Sequence, residues 1–134
     1  MRHSILKACC LLLVVLPAAG AEKGLAGEYV GDWSGVSGSS GEFRLKLQAG
    51  AEGKWICEVT FTFGGAEVKT KVTSVGVDGG KFEAKYEFDL GDAKLESTIR
   101  GQAVEGRLEG KYTTKALPAG SAVDEGVWRA ARRQ

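Results

Sequence analysis

The sequence predicts an all-β domain, an eight-stranded antiparallel up-and-down (meander) β-barrel. Apolar and polar residues alternate through most of the chain after residue 21, the period of a strand with one buried face. Glycine pairs and Gly-Asp steps interrupt that alternation at hairpin spacing. Lys, Arg, Glu and Asp occupy the polar phase, so the outer face is solvated. A membrane barrel would be apolar outside and polar inside.

The elements follow in order. A first strand is expected near Glu28–Ser37. Next, Phe43, Leu45 and Leu47 face inward, opposite Glu42, Arg44 and Lys46, until Gly50-Ala51-Glu52-Gly53 turns the chain. Trp55, Cys57, Val59, Phe61 and Phe63 give the clearest strand. Gly64-Gly65 supplies a hairpin turn, where both central residues need positive φ. Val68, Thr70 and Val72 point inward, and the phase then slips at Thr73-Ser74, which predicts a β-bulge before Val75 and Val77. After Asp78-Gly79-Gly80 come Phe82, Ala84, Tyr86, Phe88 and Leu90, then a turn at Gly91-Asp92. Leu95, Ser97 and Ile99 follow. A turn is expected near Gln102-Ala103, before Val104, Leu108, Gly110 and Tyr112. Ala116–Glu125, with Pro118 and Gly120, is expected to be the one long loop. Gly126–Ala130 forms the last strand. No segment carries a helical period, a turn within Ser121–Glu125 excepted. Such a meander leaves two open edges unless its first and last strands pair, and closure removes both.

Residues 1–21 read as a cleaved secretory signal, leaving 22–134 as a single barrel domain. Arg2 and Lys7 flank a short basic start, an apolar run ends at Pro17, and Ala19-Gly20-Ala21 places small residues before a cut after Ala21. The apolar run stops at about 12 residues, short of the roughly 20 a membrane-spanning helix needs. The protein is thus expected to be secreted or periplasmic, with no membrane insertion after cleavage.

Cleavage removes two of the 18 basic residues against 17 acidic ones, which brings the net charge to about −1. That balance gives no reason to expect nucleic acid as a partner. His3, the only histidine, leaves as well, and Cys57 becomes the only cysteine. No internal disulfide, Ser-His-Asp triad or histidine metal site can then form. Cys57 reads as a small buried hydrophobe and not as a nucleophile. The carboxylates fall mostly on the outer face or in turns, with Asp32 and Glu28 the nearest to exceptions. The expectation is a protein that is not an enzyme, with no cofactor and no metal, acting as a monomer.

Gly31-Asp32-Trp33 resembles the Gly-x-Trp element that opens calycin barrels, the lipocalin and avidin-like group. The resemblance implies that Trp33 closes one end of the barrel against an arginine of the last strand. Arg129, or failing that Arg132, would take that part beside Trp128, so Gly31, Trp33, Trp128 and Arg129 form the expected structural plug. The alternative is that both tryptophans are simply large core residues on adjacent strands. The chain is shorter than a typical lipocalin, and it lacks both the helix after the barrel and the disulfide. Those departures argue against transport of a bulky lipid.

Two functions follow. One is a binding module for a small apolar molecule or peptide at a barrel mouth. Its candidate lining is Phe61, Phe63, Thr70, Phe82, Tyr86, Phe88, Ser97 and Tyr112, with Thr114 as a further polar handle. The other is an envelope protein-interaction or protease-inhibitor-like module, acting through the Glu22–Gly27 segment or the Ala116–Glu125 loop.

Overall fold

A computed structural model describes residues 24–133. The expected signal over residues 1–21 lies outside the described residues, as do Glu22 and Lys23.

Among the described residues the fold is all-β: nine strands in one antiparallel up-and-down sheet, curled into a half-barrel. They are β1 (Gly27–Gly35), β2 (Ser40–Ala49), β3 (Trp55–Phe63), β4 (Ala66–Lys69), β5 (Lys71–Asp78), β6 (Lys81–Leu90), β7 (Ala93–Val104), β8 (Arg107–Leu117) and β9 (Ser121–Arg132). The sheet order is β4-β3-β2-β1-β9-β8-β7-β6-β5, so the first and last strands pair, Tyr29 opposite Arg132 and Trp33 opposite Trp128. Its two edge strands, β4 and β5, follow one another in the chain.

The count of nine corrects the expected eight, and the break falls at Thr70. The run expected as one strand stops there: β4 pairs with β3, and β5 leaves β3 to pair with β6. At the break the Thr70 hydroxyl donates to the Val59 carbonyl at 2.7 Å, a side-chain bond where the backbone ladder ends. The register of β5 against β6 then skips Thr73, a bulge at the expected phase slip.

Two connections also differ from expectation. The turn placed near Gln102-Ala103 lies at Glu105-Gly106, where φ is 48° and 83°. Positive φ at both central residues is what a two-residue hairpin of this twist requires. The long loop expected over Ala116–Glu125 is mostly strand. β8 runs to Leu117 and β9 begins at Ser121, and no helical turn forms between them.

Alternation sorts the concave face into two ends. At one end the hairpins after β3, β6 and β8 and the β1–β2 turn form an open mouth. At the other, Leu25, Leu45, Leu47, Cys57, Val59, Leu108 and Ala130 are buried in an apolar core. Tyr29 caps this end: its hydroxyl donates to the Leu25 carbonyl at 2.8 Å and accepts from Arg132 at 2.8 Å. The Arg132 guanidinium lies 5.3 Å from the centre of the Tyr29 ring and also donates to the Gly24 carbonyl. The described part of the N-terminal segment is therefore docked and not free.

Candidate functional site

The mouth holds a cavity of about 210 Å³. Its walls come from strands that bring aromatic rings to one level. Trp33 of β1 stacks on Phe63 of β3 with centroids 6.3 Å apart and 9° between planes. It meets Phe61 and Tyr112 edge-on, at 6.0 and 5.9 Å. Phe61 in turn meets Phe88 at 5.0 Å. Rings at right angles make adjacent walls of a box, and edge-to-face contact is the arrangement the ring quadrupoles favour.

A polar row runs across these walls. Cross-strand pairing places Tyr86 opposite Ser97, Ser97 opposite Thr114, and Thr114 opposite Asp124, across β6 to β9. The Ser97 and Thr114 hydroxyls share a buried hydrogen bond of 2.6 Å. Tyr112 Oη donates to Asp124 Oδ2 at 2.8 Å, and the Ser37 backbone N–H donates to Oδ1 at 3.2 Å. Burial pushes the Tyr86 phenol above its ordinary range, with the Ser97 hydroxyl pulling the other way. Burial also raises Tyr112, and its bond to the Asp124 carboxylate adds to the effect. Both phenols therefore stay neutral near pH 7.

Gly35 makes the carboxylate's position possible. A β-carbon there would fall 2.2 Å from Asp124 Oδ2 and 2.5 Å from Tyr112 Oη. Only glycine leaves room for that pair. A second irregularity helps: the register of β8 on β9 skips Val123, so Asp124 and Ala122 face consecutive residues of β8.

Of the expected lining, Phe61, Phe63, Tyr86, Phe88, Ser97 and Tyr112 do border the cavity, with Thr114. Phe82 and Thr70 do not. Phe82 packs on Trp128 at 6.3 Å below the cavity, and Thr70 is held at the strand break. The expected plug divides. Trp33 is a wall of the mouth, its indole N–H donating to the Thr62 carbonyl at 3.1 Å. Trp128 is a core residue beneath it, 5.1 Å from Phe43. Gly31 lets the backbone of β9 pass close, since a β-carbon there would lie 1.8 Å from the Arg129 carbonyl oxygen. Arg129 points outward to an exposed ion pair with Asp32 at 3.5 Å and does not reach Trp33. The arginine that caps an end is Arg132, and its ring is Tyr29. Asp124 is not among the expected site residues, because its stretch of sequence predicts a loop.

A broader depression of about 1160 Å³ lies on the outer face, over Gly101 and Gly110. It is an open saddle of the bent sheet, crossed by the Arg100–Glu83 and Arg129–Asp32 ion pairs. Such exposed pairs contribute little. Cys57 is buried among apolar side chains, and burial pushes its thiol up to about 12. It has none of the electropositive exposure that a reactive thiol needs. Among the described residues no cluster of His, Cys, Asp and Glu could hold a metal ion.

Compared with known proteins, the chain matches no family model, no curated protein and no solved structure.

Proposed function

We propose that this protein is a secreted or periplasmic, non-enzymatic binding module that takes a small, mainly apolar molecule at the mouth of a calycin-like barrel. In this reading β4 and β5 are one strand bent at Thr70, which gives the eight strands of such a barrel. The observation that carries the proposal is the aromatic-walled cavity of about 210 Å³ with its row of neutral hydroxyls. Apolar walls with a few convergent polar groups are the usual make-up of small-molecule sites. The volume falls below the roughly 300–1,000 Å³ of drug-sized sites, so the occupant is about the size of one substituted ring.

Titration with 2-phenylethanol, followed by amide and indole N–H chemical shifts, tests the reading. Saturable shifts at the Trp33 indole, Ser97 and Thr114, with Leu47 and Leu108 unmoved, are expected. Absence of saturation, or shifts confined to the closed end, would overturn it.

A further inference from the structure

Resting on that reading, we infer that the preferred occupant carries a positively charged amine, held by the Asp124 carboxylate among aromatic walls. Among the described residues Asp124 is the only charged side chain lining the cavity. It has no basic partner within ion-pair distance among those residues, although six ion pairs form elsewhere on the surface. Its two contacts are both donors, the Tyr112 hydroxyl and the Ser37 amide, one to each oxygen. A carboxylate has about four lone-pair sites, so each oxygen keeps acceptor capacity. The Tyr112 bond and the space at Gly35 fix the side chain at the wall. Tyr112 touches it, and Trp33, Phe61 and Phe63 line the same cavity. Ring faces attract a cation within about 6 Å, and more strongly where water is excluded. A carboxylate and aromatic rings around one small space thus both favour an ammonium over a neutral or anionic head. An anionic ligand would meet repulsion from Asp124, so the same geometry disfavours carboxylic acids of equal size.

The test compares 2-phenylethylamine with 2-phenylethanol, which matches it in size but is uncharged at pH 7. The wild-type protein should bind the amine at least tenfold more tightly. Asp124→Asn should abolish that advantage, so that the amine binds no more tightly than 2-phenylethanol. Tyr112→Phe, which keeps the carboxylate, should retain a preference for the amine. In the wild-type protein the Asp124 carboxyl carbon should shift on adding the amine and not on adding the alcohol, a readout that needs no variant. If the alcohol binds as tightly as the amine, or the advantage survives in Asp124→Asn, the amine inference falls and the binding module stands. If neither compound binds, both fall.

Discussion

The two ends of the half-barrel are built by the same alternation and filled in opposite ways. At the closed end aliphatic side chains pack to near-zero exposure, Leu47 and Leu108 both at 0 %, and Tyr29 and Arg132 seal the rim. At the mouth the inward positions carry rings and hydroxyls, Phe63 is 40 % exposed, and a cavity remains. Aliphatic chains interdigitate and leave no void, whereas rings held edge-to-face across a wide end do leave one. Tight packing is concentrated at one end, and the proposed recognition site lies at the other.

The sharpest way to break that division is Leu47→Ala. It should cost about 2–5 kcal/mol in urea unfolding, from lost burial and the cavity left behind. The affinity for 2-phenylethanol should not change. A binding loss as large as the stability loss would show that the two ends are not separate.

Alkali should attack the buried core next. The Cys57 pKa is raised from 9.0 to about 12 by burial first and by the nearby Glu58 charge second. Its neutral form is therefore the one the fold prefers. That contribution is whole below pH 9 and is lost as pH climbs from 9 toward 12, by up to roughly 4 kcal/mol. Tyr86 and Tyr112, also raised, act in the same direction. Unfolding midpoints should fall steadily across that range, and Cys57→Val should make the fall shallower.

Ser97→Ala probes the polar row between the ends. It strips the buried Thr114 hydroxyl of its 2.6 Å partner and should cost about 1–3 kcal/mol. Pairing it with Thr114→Val should restore part of that loss, because no polar group is then left unmatched. The smallest stability effect belongs to Phe63→Ala, under about 1 kcal/mol for a half-exposed ring. Its effect on 2-phenylethanol binding should be about fivefold or more, because the stacked wall on Trp33 disappears.

Most of the core was legible in the sequence because period-two burial depends only on neighbours in the chain. Phe43, Leu45, Cys57, Val59, Phe82, Ala84 and Ile99 all face inward as their phase required. The bulge at Thr73 was legible for the same reason. Thr70 was not, because threonine is a good strand residue and its break is imposed by a strand that must leave one partner for another. Arg129 could have been placed: neighbours on a strand take opposite faces, so an inward Trp128 sends it to solvent. Arg132 lies on the odd count from Arg129 and therefore returns inward. Asp124 was hidden by Pro118 and Gly120, which suggested a loop longer than the three-residue connection that forms. It was hidden further by a register skip that no alternation reveals.

Tyr29 opposite Arg132 sets an order for folding. Neighbouring strands elsewhere in the sheet are joined by short connections, but β1 and β9 can meet only after about a hundred residues have been gathered in. That closure costs chain entropy before any contact repays it. The β1–β9 ladder therefore zips last, and Trp33 and Trp128, facing each other across it, report the final step. Joining Gly24 to Arg133 by a short linker and opening the chain at Gly64-Gly65 should turn the slowest pairing into a local one and speed folding.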